Sequence, residues 1–410
     1  MGDVNRTAVT YKYEKIRAVA NGMLEMGGST FLLLIALKWL HAGAIEKALV
    51  AGGGSTGLIL SPFVVWWVSR KGLNSTKAAA NLSIIGSITF VIMAALPYLP
   101  IYVFGSILTM ACASSMIPLI TQVYQENYPE EKRGQLFSRT VMIRIGTAAI
   151  FSELVGRGLS YFDAFRWLLL VFALAFLVTY YCLARIPSQQ LKDSGGSHPL
   201  RAMRFLKHDR LFRYTIICWT LMGFANLMML PLRVEYLGNP KYNQALDVKT
   251  IALLVAVIPN IVRLVMSPLW GWLFDRLNFF ALRVILNLGF AIGILSFFTS
   301  NSFIGLVAAA IVFGISNSGG DVAWGLWVTK FAPDEYVADY MSVHTFFTGI
   351  RGVIAPIVAF QLAAADVPIN TIAYCCVGMI VLASVLLLLE LKSGNRKGGG
   401  GKIIVEEIPE

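Results

Sequence analysis

Along this chain the hydrophobic positions gather into long blocks, separated by short clusters of charged and turn-forming residues. Each block is about 20 residues long, the length a helix needs to cross a hydrocarbon core about 30 Å thick. The blocks centre near Gly28, Gly57, Val91, Ala113, Gly146, Phe176, Ala225, Pro259, Gly293, Ser316, Arg351 and Val381, and predict twelve membrane-spanning helices. The short alternating strands of an outer-membrane barrel do not appear, and lipid admits only helices or closed barrels as spanning solutions. The expectation is therefore an all-α membrane protein. Most connections are short. The exception holds Ser188, Gly195, Gly196, His198 and Pro199 and reads as a linker, followed by a basic run through Arg201, Arg204, Lys207, Arg210 and Arg213. Six spans precede it and six follow. The expected organisation is a first six-helix bundle over 1–187, a linker with a basic amphipathic segment over 188–207, a second bundle over 208–392 and a tail over 393–410.

Composition agrees. Of 410 residues, 57% are hydrophobic and 14% charged, with a mean hydropathy of +0.67, which cannot furnish the charged surface of a soluble domain this large. The net charge of +11 is spread between the apolar blocks rather than gathered in a patch, so nucleic acid is not expected as a partner. Placing the termini and the even-to-odd connections in the cytoplasm puts 24 of 34 Lys and Arg residues there, against 7 on the other side and 3 within spans. By the positive-inside rule both termini and the linker are expected to be cytoplasmic. The basic run then either lies on the inner membrane surface or simply stops transfer before the seventh span. No external Asn-x-Ser/Thr sequon appears and the tails are short, which suits a bacterial inner membrane. The first block is long and contains Glu25, so it is expected to stay as a span rather than be cleaved as a signal peptide. Five cysteines (Cys112, Cys182, Cys218, Cys375, Cys376) fall inside apolar blocks without metal-ligand spacing.

The chain also repeats itself. Ser61-Pro62 to Asn81-Leu82 aligns without gaps to Ser267-Pro268 to Asn287-Leu288, a shift of 206, with Trp66/Trp272 and Arg70/Arg276 coinciding. A second match at a shift of 204 pairs Pro129, Glu130, Glu131 and Ser138 with Pro333, Asp334, Glu335 and Ser342. The same loops recur in each half, as two parallel bundles would require. The second copy, Gly271 to Asp275-Arg276, resembles the cytoplasmic loop signature of the major facilitator superfamily. Asn278 stands where that family usually has a second glycine, and the basic residues after it reduce to Arg283. In the first copy Val65 and Ser69 replace the glycine and aspartate, while Arg70, Lys71 and Gly72 survive. The resemblance implies the major facilitator fold, twelve helices in two parallel-repeat bundles, and a secondary transporter working by alternating access. It also implies a cytoplasmic gate at Gly271, Asp275, Arg276, Arg283, Arg70 and Gly72. Independently of the family, a glycine at a helix end permits close approach of a neighbour, and Asp275 is suited to a basic partner or a helix N-terminus. The alternative is that Asp275 and Arg276 are solvated loop charges.

Six ionisable residues stand well inside apolar blocks: Glu25, Arg144, Glu153, Arg263, Asp321 and Arg351. A charge at a helix centre costs about 2.5–3.5 kcal/mol on insertion scales, so such residues face a cavity or a partner. None lies inside spans three, six, nine or twelve, which in the resembled fold are peripheral, while one, four, seven and ten line the path. Polar stripes support a lined path: Asn21, Glu25, Gly28 and Ser29; Ser114, Pro118, Thr121, Gln122 and Gln125; Thr215, Trp219, Met222 and Asn226; Asn317, Asp321 and Trp324. Glu25 and Asp321 are the leading candidates for proton coupling, with Glu153 third because Arg157 stands one turn away as a local partner. Arg144, Arg263 and Arg351 are candidates to bind an anionic group, although three acids and three bases favour mutual pairing. Asn226, Gln122, Trp219 and Trp324 complete the substrate-binding candidates. The histidines form no catalytic or metal cluster and no phosphate-binding glycine loop is present, so no enzyme activity, metal or cofactor is expected. The expected partners are a small amphiphilic or anionic solute, protons and the bilayer, for a chain acting as a monomer. A lipid or lysolipid translocase, a receptor and an intramembrane enzyme are the alternatives.

Overall fold

A computed structural model describes residues 3–161, 165–195, 198–242, 244, 246 and 248–392. The expected tail, Gly196 of the linker and the side chains of Ser29 and Arg157 lie outside the described residues. Helix dominates, and among the described residues there is no β-strand; one isolated antiparallel bridge joins Asn74 to Gln190. Among the described residues twelve long helical segments follow in order. α1 runs Asp3–Met26, passes through a π-helical turn at Gly27–Phe31 and finishes as Leu32–Lys38. α2 is Ala44–Arg70, α3 Ser75–Ala95, α4 Leu99–Asn127, α5 Arg133–Tyr161 and α6 Phe165–Arg185. After the linker come α7 at Arg210–Gly238, α8 at Thr250–Arg276, α9 at Phe279–Thr299, α10 at Phe303–Lys330, α11 at Val337–Ala364 and α12 at Ile369–Lys392. Ten are long and apolar enough to span a membrane by length and composition. The other two, α1 and α5, carry charges that lower their hydropathy: Lys12, Glu14, Lys15, Arg17 and Glu25 on one, Arg133, Arg139, Arg144 and Glu153 on the other.

Local chemistry sets the boundaries. Asp209 caps α7 by accepting the Phe212 N–H at 2.8 Å, Ser302 caps α10 from Gly305 N–H at 3.1 Å, and Asn278 caps α9 from Phe280 N–H at 2.8 Å. α4 breaks at Met116, where Pro118 removes a donor from the first turn of its second piece, Ile117–Asn127. Gly72, at φ +59°, turns the chain out of α2.

Within the first six helices α1 packs on α5 and α6, α2 on α4, and α3 on α6; within the second six, α8 packs on α10, α9 on α12, and α7 on α11 and α12. The halves meet along two seams, α2 against α11 and α5 against α8. Outside, Ile88 and Val91 of α3, Leu174 of α6, Ile292 of α9 and Leu389 of α12 are exposed apolar side chains, as lipid-facing helices require.

The repeat is present in the backbone, but not without a gap. Helix starts in the two halves differ by 204 from α3/α9 onward, including the single 3-10 turns Glu130–Lys132 and Asp334–Tyr336. The shift reaches 206 at Arg70/Arg276 and returns to 204 because the α8–α9 connection, Leu277 and Asn278, is shorter than residues 71–74. The Asn81/Asn287 coincidence therefore falls out of register, whereas Arg70 and Arg276 match in detail. Each guanidinium lies over the tryptophan one turn earlier, 5.7 Å from Trp66 and 4.2 Å from Trp272.

Candidate functional site

A cavity of about 410 Å³ opens between the halves, walled by Asn21 and Glu25 of α1, Ser114 and Thr121 of α4, Arg144 of α5, and Asp321 and Trp324 of α10. Apolar walls come from Leu24, Met110, Ile117 and Ile120. A second cavity, about 570 Å³, lies against Glu153 and Ser152 of α5 and Asn260 and Arg263 of α8, and Glu25 borders both. Spacing explains the convergence: Asn21 and Glu25, or Asp321 and Trp324, stand one turn apart and share a helix face.

The four central charges form two cross-helix pairs. Arg144 Nε lies 3.1 Å from Glu25 Oε2, yet neither atom has an aligned hydrogen-bond partner, so the contact is Coulombic and loose. Their side chains remain 30% and 38% exposed to the cavity. Arg263 and Asp321 instead make a direct charged hydrogen bond, with side-chain exposures of 14% and 20%. Two of the three interior arginines thus meet an acid. Glu153 sits on the second cavity's wall.

Arg351 pairs with no acid among the described residues. It is buried, donates to the Trp219 carbonyl at 2.7 Å and to Thr348 Oγ1 at 2.9 Å, and lies against Gly223 of α7. Arg144 and Arg351 therefore occupy separate surroundings in this conformation, and the equal count of acids and bases does not become equal pairing in space. The stripe on α7 also departs from expectation. Trp219, Met222 and Thr215 are buried inside the second bundle, Asn226 Oδ1 is buried without a partner, and it is α5 and α8 that complete the cavity walls.

Below the cavity, toward the linker side, lies a triad that the sequence reading missed. Arg17 donates to both Glu14 oxygens at 2.6 and 2.7 Å and to Tyr124 Oη at 2.9 Å, and Tyr124 donates to Glu14 at 2.6 Å. Its sequence signal, Glu14 and Arg17 three apart on a helix, is indistinguishable from solvated N-terminal charges.

On that same side the halves are clasped. Both Asp275 oxygens accept backbone N–H groups from the first turn of α5, Gly134 at 2.6 Å and Gln135 at 3.0 Å. This sets a carboxylate on a helix N-terminus. The approach needs glycine on both sides: a Cβ on Gly134 would stand 2.5 Å from Gly271 O, and one on Gly271 2.5 Å from Gly134 O. At the other seam Gln122 donates to Asp334 O at 2.7 Å and accepts from Ala338 N–H at 3.1 Å, while Gln125 donates to Asp334 Oδ1 at 2.7 Å. Gln122 is thus part of the clasp and not of the cavity wall. Thr121 donates to Gly325 O at 3.4 Å, and Lys330 lies 3.6 Å from Glu130. The linker joins in, because Lys192 bonds Glu335 at 2.6 Å, a contact that raises the Lys192 ammonium above its ordinary pKa.

Arg283, read from sequence as part of the gate loop, is elsewhere. Asn278 starts α9 so early that Arg283 falls one turn inside it, buried over the Trp219 ring at 3.8 Å. A ninth helix free of interior charge was the expectation; this arginine corrects it. Arg70, Arg276 and Gly72 lie at the ends of their own helices rather than across the seam.

Two helical halves closed at one side around a charged, partly open cavity define a multi-pass membrane protein of transporter architecture. The family model of the Major Facilitator Superfamily matches residues 18–280 and 241–403, and the chain belongs to that superfamily. It is accordingly a transporter and not an enzyme. Solved structures of similar fold include FucP in the outward conformation, with 14% identity over 93% of this chain and 98% of that one at a TM-score of 0.71. The proton:xylose symporter XylE shares 15% identity over 99% of both chains at a TM-score of 0.69. The human organic anion transporter MFSD10 shares 11% over 94% of this chain and all of the other (100%) at a TM-score of 0.70. No curated protein sequence matches the chain.

Proposed function

We propose that the chain is a secondary active transporter that carries a small organic solute through the central cavity by alternating access, coupled to protons through Glu25 and Asp321. The observation that carries this reading is the position of Glu25, a half-exposed carboxylate bordering both cavities and held only loosely by Arg144. A carboxylate there exchanges its proton with whichever side is open, and its arginine partner is free to respond to the change. Asp321 with Arg263 forms the corresponding pair in the second bundle, and Glu153 is a secondary candidate on the wall of the larger cavity. The wall offers both charge signs, the Trp324 ring and an apolar side, which suits a small amphiphilic or anionic solute. Arg144, Arg263 and Trp324 are the substrate-contact candidates that line these cavities. Fucose:proton and proton:xylose symport and organic anion transport by proteins of like fold support the same class of reading. The clasp around Asp275 keeps the linker side shut, so the present conformation is one open toward the opposite side. We place both termini and the linker in the cytoplasm on the charge bias, and the protein in a bacterial inner membrane as a monomer.

The test is uptake in proteoliposomes under an imposed pH gradient, screened against a metabolite mixture. Accumulation of one solute is expected to follow the gradient, and Glu25→Gln with Asp321→Asn is expected to leave only passive equilibration. Transport that ignores both the gradient and the double variant would sink the proton-coupled reading.

A further inference from the structure

A second charged centre lies inside the C-terminal bundle, behind the cavity wall. Arg283 and Arg351 are 2% and 5% exposed, and both bear on one tryptophan: Arg283 stacks 3.8 Å over the Trp219 ring, and Arg351 donates to the Trp219 carbonyl at 2.7 Å. The two guanidinium groups are close enough to repel each other. Among the described residues neither has a carboxylate partner. The polar contacts of Arg351 are the neutral Trp219 carbonyl and Thr348 hydroxyl, while Arg283 Nη1 and Nη2 and Arg351 Nε have no hydrogen-bond acceptor. The indole N–H groups of Trp219 and Trp327 are likewise buried without acceptors, and His344 Nε2 is buried without a hydrogen-bond partner. The His344 ring sits 5.0 Å from Trp219, 5.3 Å from Trp327 and 5.4 Å from Trp324.

Two like charges buried against one tryptophan in a membrane protein, met only by neutral acceptors and, among the described residues, by no acid, are electrostatically incomplete. Stacking on one indole attracts a cation but supplies no net negative charge. Burying an ion is favourable only where a counter-charge and hydrogen bonds complete it. What is missing here is an acceptor-rich negative group, small enough to sit among packed side chains.

We infer that Arg283 and Arg351, with the indole N–H groups of Trp219 and Trp327, bind a compact anion inside the second bundle. The chemistry is that of a halide or of a terminal carboxylate. A free halide and the carboxylate of the transported solute would both satisfy it, because Trp324 is at once a wall of the central cavity and a neighbour of His344. The centre is distinct from the Glu25 and Asp321 pairs, and its assay measures equilibrium binding, so its outcome is independent of whether transport is proton-coupled.

The experiment is thermal unfolding of the purified full-length protein in nanodiscs at constant sodium, with isethionate, a bulky anion that has no carboxylate, replaced stepwise by chloride or bromide, and separately by acetate. Expected is a saturable rise in Tm with the small anions over isethionate. Arg283→Gln and Arg351→Gln are each expected to weaken its midpoint about tenfold or more. Arg351→Met is expected to be as stable as the native chain in isethionate, since it removes an uncompensated charge, and to lose the anion response; this variant keeps the test valid if the glutamine forms fold poorly. Lys241→Gln, which removes an exposed lysine paired with Asp366, is expected to keep the full response. A rise with halide alone identifies a free inorganic ion as the occupant, and a rise with acetate alone identifies a carboxylate. No rise with any small anion, or a rise undiminished in the Arg283 and Arg351 variants, overturns the inference.

Discussion

Asp321 and Glu25 are unequal carboxylates, and their neutral substitutions should differ in stability as well as transport. Asp321→Asn leaves Arg263 facing a neutral amide, with Glu25 as the remaining acid within electrostatic reach, in a pocket where its side chain is 14% exposed. Stranding a buried charge costs about 3–5 kcal/mol at full burial, and the partial exposure here brings that to roughly 2 kcal/mol. Glu25→Gln leaves Arg144 in a cavity that already wets it, at 30% exposure, so a change under about 1 kcal/mol is expected. Denaturation of the two variants in nanodiscs checks the order, and equal losses would show that the cavity is drier at Glu25 than its exposure indicates. These charges were legible in the sequence because an ionisable residue in an apolar block stands out. Their partners were not: that Arg144 finds Glu25 while Arg351 finds a carbonyl depends on helix rotation across the bundle. Glu14 and Arg17 were missed for the opposite reason, being camouflaged among N-terminal charges.

At the scale of elements, the two copies of the gate solve one problem with different chemistry. In the second copy the acid ends α8 and sits on the start of α5, with Gly134 and Gly271 allowing backbone contact. Asp275→Asn should weaken two charge-assisted hydrogen bonds of about 1.5–3 kcal/mol each while leaving the bundle intact. Gly271→Ala should act in the same direction through sterics alone, because its Cβ meets Gly134 O and Ser138. Both are expected to expose a cysteine introduced at Ser138, beside Gly271 on the seam, to thiol reagents, and a variant that stays protected would show that the other seam suffices. In the first copy Ser69 ends α2, and the acid has moved to Asp339 on the first turn of α11. The linker fills the gap: buried Arg201 donates to Ser69 Oγ at 2.6 Å, pairs with Asp193, and lies within electrostatic reach of Asp339. Arg201→Gln should therefore loosen the linker specifically, read as faster proteolysis between Ser188 and His208 with Tm little changed. A variant as resistant as the native chain would show that Lys192 and the Asn74–Gln190 bridge hold the linker alone. The repeat made the loops legible, but an ungapped alignment hid the shorter α8–α9 connection, and with it the displacement of Arg283 from the loop into α9.

For the whole molecule, span count and the two-half arrangement could be read because bilayer thickness dictates block length and because the loops recur. The gate loop at Gly271 and Asp275 was legible too, but not that it is engaged, since that depends on its contact with Gly134 and Gln135 in the other half. The clasp residues Asp275, Gln122, Asp334 and Lys330 all lie at linker-side helix ends, whereas Ser152 and Glu153 line the cavity farther along α5. A chain in which the five native cysteines are replaced, carrying Ser152→Cys, should therefore react readily with an impermeant thiol reagent added from the side opposite the linker. Ser138→Cys, at 0% exposure beneath Gly271, should be protected until Asp275→Asn is added. Tenfold changes in the two labelling rates, in opposite directions, correspond to a shift of about 1.4 kcal/mol in the balance between states. Gln189→Cys in the same background fixes the orientation, because it should label only from the cytoplasm if Lys and Arg placement governs insertion. Labelling of Gln189→Cys from outside would reverse the topology while leaving the state assignment intact. Unchanged labelling of Ser152→Cys and Ser138→Cys on adding Asp275→Asn would instead remove the Asp275 clasp from the gating cycle.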